Sequence, residues 1–386
     1  MTTTRIFAEA HHVTVLRRMH LIRERDRPEA LRRVLIIIAV GWVPLMVLCL
    51  IHTLLHKDAT ATMFFGDMAV HARLLLAAPL FVLAEYVVLP RLEAIREHFA
   101  DASLIAEEDH ERFQVAVQKC HRMSARLQYS GEIAFCAYAL AFIMVAVAPR
   151  QDLPTWQLAM DGYSLSLAVW WHLVISLPLL LGLILGWLWR LVIWARFLAA
   201  VARLGVRMVA AHPDKAGGLQ FVAYSPRLFA PVGLAMSIVV AGTMANGALH
   251  HGISPLDHPA IPVVTAAVIA ILFLSPPLIF TRLLVTAWRQ AVFKYGDLAT
   301  RMGKAFEEKW MGPEAHLDSS ALSDPDFSST TDLYSIVANV YSMRPTLFDY
   351  QAAIGIIVAA LLPFVPVLLI VIPLKTLSKE LIGLLF

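Results

Sequence analysis

Charge is scarce in this sequence, and so is cysteine. Of 386 residues, 16% are Asp, Glu, Lys or Arg and 59% are hydrophobic. A soluble domain carries about 25% charged and about 45–50% apolar residues, so this balance excludes an ordinary water-soluble fold. The three cysteines, Cys49, Cys120 and Cys136, are far apart. An odd number at such spacings excludes a disulfide framework and a CxxC metal knuckle, and leaves them as small apolar fillers. HExxH, P-loop, GxSxG and GxGxxG patterns are missing, and with them the common hydrolase and nucleotide-binding signatures. No nucleophile–base pair stands out, so the chain reads as a non-enzyme. A cleavable leader is not evident either. A long polar, Arg-rich stretch precedes the first apolar run, and that run exceeds a signal h-region.

What the sequence does have is long apolar runs. A membrane span takes about 20 apolar residues. Seven candidates are Val34–Leu55, Arg73–Leu89, Ile133–Ala148, Ser164–Leu188, Phe229–Leu249, Ile261–Val285 and Ile354–Pro373. The expected fold class is an all-α integral membrane protein of about seven transmembrane helices with extended amphipathic cytoplasmic helices. Of the 32 Lys and Arg residues, 27 fall in segments 1–33, 90–130, 189–228 and 282–348. Positive charge marks the cytoplasmic side, so the expectation is a multi-pass inner-membrane protein with a cytoplasmic N-terminus. Pro363, Pro366 and Pro373 interrupt the seventh run, which reads as a broken or re-entrant segment.

The organisation expected from these runs starts with a basic segment at 1–33, helices 1 and 2 at 34–89 and a cytoplasmic helical connection at 90–130. Helices 3 and 4 follow at 131–188, then a cytoplasmic extension with an HPDKAGG turn at 189–228 and helices 5 and 6 at 229–285. A cytoplasmic helix with an acidic loop at 286–348, helix 7 at 349–373 and an interfacial amphipathic tail at 374–386 complete it. Glu107–Leu127 and Thr286–Trp310 place apolar residues on one helical face, and His316–Asp332, rich in Ser, Asp and Pro, reads as a loop. The fourth span is expected to continue as a helix through Arg203 and Arg207. No internal repeat is visible.

Ionisable groups in a span are costly and suggest function. Glu85, Glu132, His172, Arg190, Arg196 and Arg282 are therefore the pathway candidates, with both carboxylates near inner span ends and no charge near mid-span. His212, Asp214, Lys215, Gly217 and Gly218 form a turn whose amides and cation suit an anion or a lipid headgroup. Six histidines, His52, His56, His71, His250, His251 and His258, gather in two outer loops. Their imidazoles fit an external pH sensor or a zinc or copper site; no other cofactor is indicated. Prolines inside five of the runs bend helices and suit a pathway or moving element.

These features support a channel or transporter-like protein with a cytoplasmic helical domain, with basic residues favouring anions. One alternative is a membrane sensor or accessory subunit acting through the outer histidines. Another is a lipid-acting enzyme using His212, Asp214 and Lys215. The partners expected are membrane lipids, further copies of the chain and a soluble cytoplasmic protein. The Arg-rich N-terminus, interleaved with acidic residues before a span, reads as a topology signal and not as a nucleic-acid patch.

Overall fold

The computed structural model describes residues 5–7, 27–102, 104–129, 131–147, 155–157, 166–313 and 325–371. Among them the structure is all-helical, with a single isolated bridge between Ile105 and Val206 and no strand. Ten helical runs organise it: α1 (Glu29–His56), α2 (Met68–Asp101), α3 (His110–Tyr129), α4 (Glu132–Val147), α5 (Leu167–Val201), α6 (Gln220–His250), α7 (Ala260–Leu274), α8 (Thr281–Met311), α9 (Asp326–Tyr341) and α10 (Tyr350–Ile370).

Five of these, α1, α2, α5, α6 and α10, are long and apolar enough to cross a membrane. A sixth span forms if α7 and Pro276–Met311, bent by 44°, count as one. Among the described residues the expectation of seven is therefore not confirmed. The run that falls short is the third, since α4 is too short to qualify. Conversely, the second run is much longer than its hydropathy suggested. It begins at Met68 and continues through Pro90 to Asp101. The seventh run is helical over Tyr350–Ile370, although it contains a turn at Leu362 and Pro363.

Proline explains where the spans deform. It lacks an N–H and its ring clashes with the carbonyl four residues earlier. The chain relieves this before Pro79 with a π turn at Ala72–Ala77, and before Pro178 with one at His172–Ser176. The Val174 carbonyl, four residues before Pro178, accepts a hydrogen bond from the Tyr138 hydroxyl at 2.9 Å. At Pro276-Pro277 the helix instead tightens into a 3₁₀ turn, and the bend follows.

In the bundle α2 packs against α1, α5 and α6, while α6 packs against α2, α7 and α10. One face of α5 also holds α3 and α4. The main core joins buried aromatics from these helices, including Phe81, Phe99, Phe113, Trp187, Trp194, Phe197, Phe229, Phe273 and Phe280. Phe229 and Phe273 stack with ring centroids 5.1 Å apart, tying α6 to α7. The apolar side chains on the outer faces, such as Leu54, Phe142, Val147 and Ile271, remain exposed. Bilayer-facing helices need such a surface.

Away from these spans, α8 and α9 pair as an antiparallel hairpin. A Cβ at Gly296 would lie 3.2 Å from the Tyr341 hydroxyl, and one at Gly303 would lie 2.9 Å from the Tyr334 hydroxyl. Trp310 meets Phe327 at 5.0 Å. Partners on both helices recur every seven residues, the spacing of a coiled-coil seam. Thus part of the acidic loop expected at 316–332 is helix, because α9 starts at Asp326, which pairs with Lys309. The N-terminal Arg cluster at 17–25, residues 314–324 and the tail at 374–386 lie outside the described residues.

Candidate functional site

The two spans that carry π turns, α2 and α5, are built alike, although their residues differ. Each starts at a side-chain cap: Asp67 accepts from the Ala69 and Val70 amides, and Ser166 accepts from the Val169 amide. After the cap come a short α turn, the π turn, a proline and a long helix. The two units are joined at three levels. At the first, Trp156 is fully buried, its indole N–H donates to Asp67 at 2.8 Å, and its carbonyl accepts from the Ser166 hydroxyl at 3.1 Å. At the last, Ile105 bridges Val206, and the Arg207 amide donates to the Leu104 carbonyl at 2.8 Å.

The middle level is a buried ionic network. Glu85, midway along α2, accepts from Arg190 of α5 at 2.6 Å and pairs with Arg33 of α1 through its other oxygen. All three side chains are at most 8% exposed. Arg33 also donates to the Tyr86 hydroxyl at 3.1 Å, and that hydroxyl meets the buried Glu29. The Arg190 guanidinium lies 5.0 Å from the centre of the Trp187 ring. Two cations thus balance two carboxylates, which keeps burial of the ions affordable. The sequence reading put Glu85 near an inner span end and no charge near mid-span. In the structure Glu85 lies midway along a helix that continues past Pro90 to Asp101.

The α2–α6 seam holds a different cation. Arg73 stands on the π turn of α2, about 8 Å from its start at ~1.5 Å per residue. It donates to the Thr243 hydroxyl of α6 at 2.8 Å and lies within electrostatic reach of His172 on the π turn of α5. Among the described residues no carboxylate is within ion-pair distance of Arg73. Among the described residues the buried imidazole of His172 has no hydrogen-bond partner at Nδ1. On α6, Asn246 Oδ1 and Ser237 Oγ are also buried without partners among the described residues. Buried polar atoms are nearly always satisfied, so each such exception calls for water or a solute.

No family model matches this chain, and no curated protein or solved structure is significantly similar to it.

The roles of these residues therefore rest on geometry. Sequence reasoning missed Arg73, because it placed the residue at the mouth of the second span. The π turn ahead of Pro79 was the signal that could have drawn attention to it. Of the other pathway candidates, Arg190 belongs to the Glu85 network. Arg196 points along α3 to Met123 Sδ at 3.8 Å. Arg282 and Glu132 are exposed at the starts of α8 and α4. Among the described residues no hydrogen bond or ion pair links Arg196, Arg282 and Glu132. Beside Arg196, burial pushes the Cys120 thiol up to about 11 despite Arg196 and Lys119, so the thiol is unreactive where it sits.

The outer histidines are distributed among separate contacts. His52 meets Asp58 at 2.9 Å and its ring lies 4.5 Å from that of His56. His71 uses Nδ1 for the Trp42 indole at 2.9 Å and Nε2 for the Phe65 carbonyl at 3.1 Å. His250 Nε2 contacts the Gly66 carbonyl at 2.8 Å, and His251 and His258 are exposed. Among the described residues, no group of three or more His, Cys, Asp or Glu is arranged to hold a metal.

In the HPDKAGG turn, the amides are occupied by the turn's own carboxylate. Asp214 accepts from the amides of Ala216 at 2.8 Å, Gly218 at 3.1 Å and Gln220 at 3.1 Å, and its carboxylate lies 2.8 Å from His212. Lys215, Gly217 and Gly218 have positive φ, which bends the chain around that carboxylate. Burial opposes the Asp214 charge, but the amides of Ala216, Gln220 and Gly218 together with His212 outweigh it. The carboxyl is held below its usual 3.8. A depressed folded value means that the stabilisation is complete above the unfolded value and is lost as pH falls through the folded one. Asp214→Ala is expected to cost about 1–3 kcal/mol at neutral pH. Thermal unfolding of wild type and variant in detergent should differ at neutral pH and converge well below pH 4. A constant gap across that range refutes the assignment.

Proposed function

We propose that this chain is a multi-pass inner-membrane protein, channel or transporter-like, that passes a small anion beside α2, with Arg73 as its attracting charge. The observation that carries the reading is the pairing pattern of the cations. Arg33, Arg96 and Arg190 are buried and each has a carboxylate at ion-pair distance, whereas Arg73, inside a candidate span, donates to a hydroxyl and among the described residues has a carboxylate, Asp67, only at longer electrostatic range. A cation held within a span without a directly paired carboxylate attracts an anion. The His172 imidazole, within electrostatic reach of Arg73 and without a partner at Nδ1 among the described residues, supplies a hydrogen bond that an anion or its water would take. The clustering of Lys and Arg in four segments supports a cytoplasmic N-terminus. The paired π turns supply segments that can readjust without breaking a span.

The test is reconstitution into liposomes with flux measured for chloride, phosphate, potassium and protons. Anion flux is expected, with at least a tenfold loss in Arg73→Gln while the variant retains the wild-type unfolding temperature. Absence of flux for every ion, or equal anion flux in Arg73→Gln, overturns the proposal.

A further inference from the structure

The end of the bundle where α2 and α5 finish holds a feature that the anion pathway does not use. Residues Arg5, Ile6 and Phe7 form no regular element, yet Ile6 is fully buried and Phe7 is 7% exposed. Both belong to the main core, together with Leu92, Phe99, Ile105, Phe113, Val117 and Cys120 of α2, α3 and the segment between them. The backbone is captured as firmly as the side chains. The Ile6 and Phe7 amides donate to one oxygen of Glu93, at 2.5 Å and 3.2 Å. The Arg5 carbonyl contacts His121 Nδ1 at 2.7 Å.

The receiving groove is preorganised. The other Glu93 oxygen accepts from Arg96 at 3.0 Å, and Arg96, itself 3% exposed, is also held by Glu97 at 2.7 Å. Glu93 is thereby aimed with one oxygen free for two backbone amides. Two apolar side chains in a pocket, with backbone hydrogen bonds to fixed side chains, are the means by which grooves bind short linear peptides. Nineteen residues separate Phe7 from Arg27. A chain of that length can span up to about 60 Å, enough for the segment to leave the groove while remaining attached.

We infer that residues 5–7 are a tethered ligand, a detachable latch that docks between α2 and α3 and closes this end of the protein. The occupant is this chain's own Arg-Ile-Phe segment, and release exposes a groove of matching chemistry. This inference does not rest on anion transport, and its test has a separate readout.

Cys120 lies in the same core cluster and is 4% exposed, so its maleimide labelling reports on the groove. In the full chain with Cys49→Ala and Cys136→Ala, labelling of Cys120 should be slow. Ile6→Asp, or removal of residues 2–7, should accelerate it at least tenfold. A synthetic peptide of residues 1–7 added to the shortened chain should restore protection in a saturable manner, and the same peptide with Ile6→Asp should not. Unchanged labelling in both variants overturns the inference. So does acceleration that the peptide fails to reverse, because the segment would then be a permanent part of the fold. A release that raises labelling without altering flux leaves the latch standing and separates it from the anion pathway.

Discussion

Glu85→Ala is expected to be the most damaging single substitution in this chain, at about 3–5 kcal/mol, because it strands two buried cations. Arg33 and Arg190 both point at that carboxylate from other helices. Removing the acid leaves their charges desolvated and facing each other. The expected signature is in the double variant. Glu85→Ala with Arg190→Leu should be more stable than Glu85→Ala alone, since the remaining Arg33 keeps the Tyr86 hydroxyl and the nearby Glu29. Thermal unfolding in detergent decides the matter. A double variant no more stable than the single would mean that lost packing, and not a stranded charge, dominates the cost.

The second large effect is expected at Gly242. A Cβ there would lie 2.4 Å from the Ala72 Cβ and 3.4 Å from the Met68 carbonyl oxygen. Both obstacles are rigid, one a methyl on the π turn and the other backbone. Gly242→Ala therefore forces α6 away from α2, with an expected cost of about 1–3 kcal/mol or more. It should also lengthen the Arg73–Thr243 contact, one residue along α6. Adding Ala72→Gly should recover most of the loss, and a double variant as unstable as the single would refute this account. Gly303 offers a contrast. A Cβ there meets only the Tyr334 hydroxyl, the far end of a side chain that can move. Gly303→Ala should be tolerated with little change in unfolding temperature.

These two sites show how much of the protein could be read from its residues. The apolar runs and the prolines are local properties. The helical membrane class, the deformations near Pro79 and Pro178 and the bend at Pro276-Pro277 were accessible from the sequence. The α3 face carrying Phe113, Val117 and Cys120 was also legible, because a helix with one apolar stripe has to bury it. The ends of the spans were less accessible. Hydropathy stopped the second run at Pro90, but a helix packed on three neighbours passes through a proline that would end an isolated one. The α8–α9 hairpin left only a trace, glycines and tyrosines seven residues apart, which has no meaning until the two helices face each other.

The candidate site was the least legible part. Glu85, Arg190 and His172 were picked out one at a time because charge or imidazole in an apolar run is conspicuous. Their partners could not be read in the same way. Glu85 meets Arg190 across 105 positions of chain and Arg33 across 52. Arg73 looked like one of several exposed cations, and only the position of α6 leaves it with a hydroxyl in place of a carboxylate. The amides of the HPDKAGG turn looked available to a ligand until the fold showed Asp214 occupying them. By itself the sequence determined that the chain forms its apolar runs as helices, and where proline deforms them, since hydropathy and backbone sterics act over a few residues. The tertiary structure alone decided which charges are paired, which cation is met by a hydroxyl and which residues pack Ile6 and Phe7 into the core. Those outcomes depend on Coulomb interactions and packing between residues that only folding brings together.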